Sequence, residues 1–175
     1  MTAQISEADF RRTVGHLASG VSVITTRDAQ GAPVGFTASA VTSLSLDPKL
    51  MLVCVDRRGH TLSAISHAGC FAVHVLRDDQ ADLAMKFASS SRDDRFSGLQ
   101  LTPGVTSAPC LAEAHARIEC RLEACHDGGD HVIVVGEVVA AEALGGLPLL
   151  YWRGQLGAPT APEGEAQSEA DGGPT

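Results

Sequence analysis

Four short stretches of the chain carry side chains that could do chemistry together. The first is GFTASAVTSLSLDP, residues 35 to 48, which has no charge before Asp47 and is built from small or hydroxyl side chains. If residues 36 to 46 run extended, alternation sends Thr37, Ser39, Val41, Ser43 and Ser45 to one face. Phe36, Ala38, Ala40, Leu44 and Leu46 go to the other, as ordinary core. An uncharged face of that kind lets a flat molecule approach the backbone and hydrogen-bond to main chain and hydroxyls. On its own, the segment favours the plainer reading of a solvated Ser/Thr surface.

The second stretch is Asp56-Arg57-Arg58-Gly59-His60-Thr61, directly after the apolar run LMLVCV. It opens a predicted helix over 60–67, where free backbone N–H groups, two arginines and a threonine hydroxyl could hold a phosphate. An ordinary basic turn capped by threonine would read the same way. In the third, Lys86-Phe87 and Arg95-Phe96 twice pair a cation with an aromatic ring, although Lys86 suits the solvated side of an amphipathic helix. The fourth is Asp127-Gly128-Gly129-Asp130-His131. The glycines explain a turn, while His131 stands where the chain enters a very apolar strand, and on its own it reads as a structural cap. No HExxH, GxSxG, CxxC or GxGxxG occurs, so metal, hydrolase and Rossmann readings have little support.

Composition narrows the classes further. The chain has 175 residues, 44% of them hydrophobic but only 4% aromatic, so one domain with a core of Val, Leu and Ala is expected. The formal charge is −8, with Glu163, Glu165, Glu169 and Asp171 in a terminal stretch without Lys or Arg. No basic face offers itself to a nucleic-acid backbone. No apolar run reaches the roughly 18 residues of a membrane span, and MTAQISEADF does not read as a signal peptide. Five cysteines without CxxC spacing read as buried thiols in a reducing cytoplasm.

These residues need elements to position them. A helix is expected over 6–19, capped by Ser6 and stopped at Gly20. GVSVITT and GFTASAV form a hairpin through DAQGAP, and LMLVCVD reads as a strand covered on both faces. A helix over 60–67, the strand CFAVHVL (70–76) and a helix over 79–89 follow. HARIECRLEAC and HVIVVGEVVAAEAL form a long hairpin through HDGGD, and LPLLYWRG closes the domain. The domain is taken as residues 1–157, with 158–175 as a disordered acidic tail. Strands that neighbour in sequence, with few helices, favour a mainly β fold closing as a small barrel.

Taken in order, ASGVSVITT, GFTASAVTSLSLDPKLMLVCVDRRGHT, FAVHVL, DLAMKFA, DDRF, GDHVIVVGEV and PLLYWRG resemble the short-chain flavin reductase family. The resemblance runs from about residue 10 to 154 and implies an FMN-binding split β-barrel homodimer with flavin at the subunit interface. It implies reduction of FMN or FAD by NADH or NADPH, with reduced flavin passed to a flavin-dependent monooxygenase. Thr37, Ala38, Ser39, Thr42 and Ser43 are similar to the stretch laid along the isoalloxazine and ribityl chain. Cys54, Asp56, Arg57 and Thr61 match the pyrimidine edge and phosphate turn. Phe87, Arg95 and Phe96 match the segment closing over the flavin. His131, Tyr151 and Arg153 fall on the nicotinamide side. Hydride passes directly between the two rings, so no catalytic acid or base is implied. The alternatives are a barrel whose tightly held flavin reduces another small acceptor, and a non-catalytic flavin-binding protein.

Overall fold

The computed structural model describes residues 5–88 and 94–160. Helix α1 spans Glu7–Val14 and is followed by strands β1 (Ser19–Gly20), β2 (Ser22–Arg27), β3 (Pro33–Ala38), β4 (Val41–Leu46) and β5 (Lys49–Asp56). Then come α2 (His60–Ala68), β6 (Cys70–Val75), a single 3-10 turn (Asp78–Gln80) leading into α3 (Ala81–Ala88), β7 (Leu101–Thr102) and β8 (Cys110–Leu111). The long hairpin is β9 (Ala116–Gly128) with β10 (His131–Ala143), and β11 (Leu150–Trp152) and β12 (Gln155–Gly157) end the chain's regular structure. The expected tail lies mostly outside the described residues.

Seven strands form one antiparallel sheet in the order β3-β2-β6-β9-β10-β5-β4. Its two edge strands are consecutive in sequence, separated only by Ser39 and Ala40. The sheet therefore curls to bring these edges together, and the Cys54 N–H, donating to the Ala40 carbonyl at 3.0 Å, extends the β4–β5 ladder into the link. Its interior packs Ile24, Val53, Val55, Phe71, Val73, Val132 and Val134 with Ile65 of α2. A second cluster, with Val21, Val23, Leu76 and Leu149, seats Ala84 and Phe87 of α3. At Gly136, beside a register shift in β10, a methyl group would stand 2.5 Å from the Phe71 ring and 2.7 Å from the Cys120 Cβ. Glycine lets the sheet bend there over a fully buried phenylalanine.

Three expectations are corrected. The first helix stops at Val14, because residues 16 and 17 continue only as i to i−3 turns before Ser19–Gly20 pair with β11. The stretch 36–46 is not one strand: the chain changes partner at Ser39–Ala40, from β2 to β5, and a bulge follows between Ser43 and Ser45. Alternation restarts, so Leu44 and Leu46 are 50% and 88% exposed rather than core. On β5, Val53 and Val55 are buried, but the opposite face is only half covered and opens to a cleft.

Two buried polar side chains tie loops to the sheet. The His74 ring is fully buried; Nδ1 lies 3.1 Å from the Val23 carbonyl and Nε2 accepts from the Leu111 N–H at 3.0 Å. The Glu119 carboxylate, only 4% exposed, accepts from the Val105 N–H, the Thr106 N–H and the Thr106 hydroxyl at 2.7–3.0 Å. Burial alone would raise this carboxyl, but the donations from Thr106 and Val105 outweigh it and hold the group below its ordinary value. Glu119→Gln turns an amide donor toward these donors and is expected to cost about 2 kcal/mol, lowering Tm by roughly 4–8 °C. The wild-type contribution is complete above the unfolded carboxyl pKa of about 4.3 and is lost as pH falls through the lower folded value. Calorimetry of both proteins from neutral to acid pH measures it; equal Tm values at neutral pH would refute the role.

Candidate functional site

A cleft of about 740 Å³ opens between β3, the end of β5, the start of α2 and the segment after α3. That is the size of a cofactor site. One wall is the backbone from Pro33 to Ala40, which turns Phe36, Thr37, Ala38 and Ser39 along the cleft. The Thr37 hydroxyl donates to the Ala84 carbonyl at 2.6 Å, so it fastens α3 to the wall. The wall's closeness to its cover depends on Gly35, which has room for no side chain: a methyl group would stand 2.6 Å from the Ile24 carbonyl oxygen.

Phe87 and Phe96 cover the wall as an edge-on pair, ring centres 5.0 Å apart. The Arg95 guanidinium donates to the Gly35 carbonyl at 2.7 Å, and Lys86 Nζ donates to the Ser97 carbonyl at 2.6 Å. Both cation–aromatic pairs of the sequence thus latch the segment from 94 onward over the cleft. Lys86 is half-buried in this latch, which its expected solvated position did not anticipate.

The opposite end is formed by Cys54, Asp56, Arg58, Gly59, His60 and Thr61. Gly59 is the N-cap of α2 and offers no side-chain cap, so among the described residues no side-chain oxygen caps the first N–H groups of the helix. Thr61 in the first turn is buried. Asp56 accepts from the Arg58 backbone N–H at 2.8 Å and from its guanidinium at 3.4 Å, which together hold its carboxyl below the ordinary range. His131, at the start of β10 and directly across from Asp56 in the ladder, stands at the mouth. Its Nδ1 lies 2.8 Å from Asp130 Oδ1, which leaves Nε2 as the ring atom available to a ligand.

Ten of the expected residues therefore line one cleft: Thr37, Ala38, Ser39, Cys54, Asp56, Thr61, Phe87, Arg95, Phe96 and His131. Five do not. Thr42 and Ser43 lie exposed on β4, beyond the change of partner. Tyr151 lies on β11 of the small β1-β11-β12 sheet and Arg153 in the turn before β12, where its guanidinium sits 5.4 Å over the Trp152 ring. Arg57 turns to the β9–β10 turn and leaves the cleft to Arg58. The residues matched through the resemblance leave out Gly35, Arg58 and His60, which line the cleft, although Arg58 stands beside Arg57 in the phosphate stretch read from the sequence. The two adjacent arginines follow the end of a strand, where no period tells which side chain points inward.

The donor set suits a planar, hydrogen-bonding molecule with an anionic end: an uncharged close wall, an aromatic cover, and a helix start beside an arginine. Residues 14–160 match the family model of the flavin reductase like domain. The chain belongs to that family. Within the family it is 42% identical over 153 residues to the reductase component of a 4-nitrophenol 4-monooxygenase/4-nitrocatechol 2-monooxygenase from Rhodococcus opacus, covering 87% of this chain and 81% of the relative. To a probable flavin reductase of Rhizobium meliloti (strain 1021) it is 39% identical over 155 residues, 88% of this chain but half the length of that relative. A solved flavin reductase, the NADH:FAD oxidoreductase of Streptomyces globisporus C-1027 in complex with NAD and FAD fragments, superposes with a TM-score of 0.83 at 32% identity, covering 93% of this chain and all of that one. The fold is that of the split-barrel flavin reductases. Among the described residues no helix is long and apolar enough to cross a membrane.

Proposed function

We propose that this flavin reductase-like chain oxidises NADH or NADPH, reduces FMN or FAD, and supplies the reduced flavin to a flavin-dependent monooxygenase. The observation that carries the reading is the meeting in one cleft of an uncharged backbone wall, a bare helix start and His131 at the mouth. A bound flavin would supply the hydride-accepting ring. The residues 36–39 would lie along that ring, and the small side chains there would allow the backbone to come close. Thr61, Arg58 and the first N–H groups of α2 would hold the phosphate. Phe96 would cover the ring and exclude water. His131 Nε2 would accept from the nicotinamide carboxamide and place the donor ring against the flavin.

The relatives named as monooxygenase reductase components support the partner. A homodimer is part of the same proposal; the exposed Leu44 and Leu46 on β4 would be covered by the second copy, and Thr42 and Ser43 would reach flavin only there. The experiment is NADH oxidation followed by its absorbance, with FMN or FAD varied from none to excess. Activity that saturates with added flavin is expected; no oxidation with either flavin and either nicotinamide would overturn the reading. His131→Ala is expected to raise the KM for NADH by about ten-fold or more while flavin affinity stays within about two-fold. An unchanged KM would remove His131 from the nicotinamide side.

A further inference from the structure

Arg57 has no place in the cleft, yet it makes a set of polar contacts at its mouth. Its backbone N–H donates to the Asp130 carbonyl at 3.0 Å, and Nε donates to the Gly129 carbonyl at 3.3 Å. Nη2 reaches Asp127 Oδ1 at 2.7 Å and the His131 carbonyl at 3.5 Å. One side chain from the end of β5 therefore spans the whole β9–β10 turn. That turn has only two residues between the paired Gly128 and His131, and Gly129 sits at φ 76°. Residues 127 to 130 are all exposed, so beyond the ladder pairing of Asp127 with Val132 and Gly128 with His131 these bonds are what the described side chains add to the turn.

We propose that Arg57 is a positioning residue for the nicotinamide side of the reaction, acting through the turn that carries Asp130 and His131; this rests on the role proposed for His131. An exposed ion pair such as Arg57–Asp127 contributes little to stability. A planar fork that engages two carbonyls and a carboxylate instead fixes geometry. With the turn held, Asp130 stays 2.8 Å from Nδ1, the ring keeps one tautomer, and Nε2 faces the mouth. The neighbouring Arg58 serves the cleft itself. The adjacent pair thus divides its work, one arginine for the cleft and one for the turn.

The test uses Arg57→Ala, Arg57→Lys, His131→Ala and the double variant Arg57→Ala/His131→Ala. For each, flavin affinity is read from quenching of flavin fluorescence, NAD+ affinity from calorimetry, and KM and kcat for NADH from turnover. Ring nitrogen shifts of His131 report the tautomer independently of activity. Arg57→Ala is expected to raise the NADH KM and the NAD+ Kd about three- to ten-fold, with flavin Kd within about two-fold. Its Tm should stay within about 4 °C of wild type. The His131 spectrum should change from one tautomer to a mixture, and Arg57→Lys, which lacks the fork, should restore little. The double variant should bind nicotinamide no worse than His131→Ala alone.

Additive losses in the double variant would overturn the proposal, as would a flavin Kd that rises while the NADH KM stays fixed, the behaviour of a phosphate ligand. If His131→Ala raises the KM but Arg57→Ala does not, the proposal fails and the reading of His131 stands. If His131→Ala changes nothing, both fail.

Discussion

Gly35→Ala is expected to weaken flavin binding about ten-fold or more and to lower Tm by roughly 2–10 °C. The added methyl group would stand 2.6 Å from the Ile24 carbonyl oxygen, a backbone atom held in the β2–β3 ladder. It would also stand 3.0 Å from the Phe87 ring and 3.3 Å from the Phe96 ring. Phe87 is fully buried in the second core cluster and cannot retreat. The wall and its cover must therefore separate, stretching the Arg95 bond to the Gly35 carbonyl. Overpacking of this kind costs about 1–3 kcal/mol, and here the strain falls on the surfaces that define the cleft. Fluorescence quenching and thermal unfolding measure both effects. Gly20→Ala, at a site where nothing lies within 4 Å, is the control. A Gly35→Ala protein with unchanged flavin Kd and Tm would show that the wall and cover have slack.

Between about pH 6.5 and pH 4 the folded state is expected to lose about 3 kcal/mol through His74 alone. Complete burial pushes this imidazole down to about 4, against an ordinary value of 6.5. Both ring nitrogens are used by the neutral form: Nδ1–H donates to the Val23 carbonyl and Nε2 accepts from Leu111. Protonation would add a second donor facing the Leu111 N–H. The unfolded chain takes up its proton near pH 6.5 and the folded chain only near pH 4. Stability is thus complete above the first value, declines between the two and levels below the second. The Glu119 contribution is lost at lower pH, so the two intervals separate. Denaturant unfolding at several pH values reads the slope, and His74→Gln should be less stable at pH 7 but flatter across the interval. A wild-type protein whose stability is level from pH 6.5 to 4 would contradict the assignment.

How far the site was legible depended on whether a signal was local. The hairpin through DGGD, the apolar strands and the helix after Arg58 each announce themselves by composition within a few residues, and they place His131, Cys54, Asp56 and Thr61. The change of partner at Ser39–Ala40 has no such signal. Both sides of it are β-favouring, and only the long-range order of the sheet sends Thr37 to one edge strand and Thr42 to the other. The same holds at the paired arginines, where the acceptors that claim Arg57 lie about 70 residues away on another hairpin. Helix α1 misled in another way: its apolar spacing at Phe10, Val14 and Leu17 is real, but none of these residues is buried within the chain.

The junction at Ser39–Ala40 has a mechanical meaning. It joins two hairpins, β2–β3 and β4–β5, whose relative angle sets how widely the cleft opens. The short link alone does not set that angle, because the Cys54–Ala40 bond only extends the β4–β5 ladder and no strand pairing joins β3 to β4 or β5. The strand pairing that connects the two hairpins runs the long way round, through β6, β9 and β10, as in a split ring whose gap depends on the curvature of the whole hoop. Changes in the far arc, at Phe71 or Gly136, are therefore transmitted to the aperture, and ligand affinity becomes a gauge of curvature on the side of the molecule that no ligand touches.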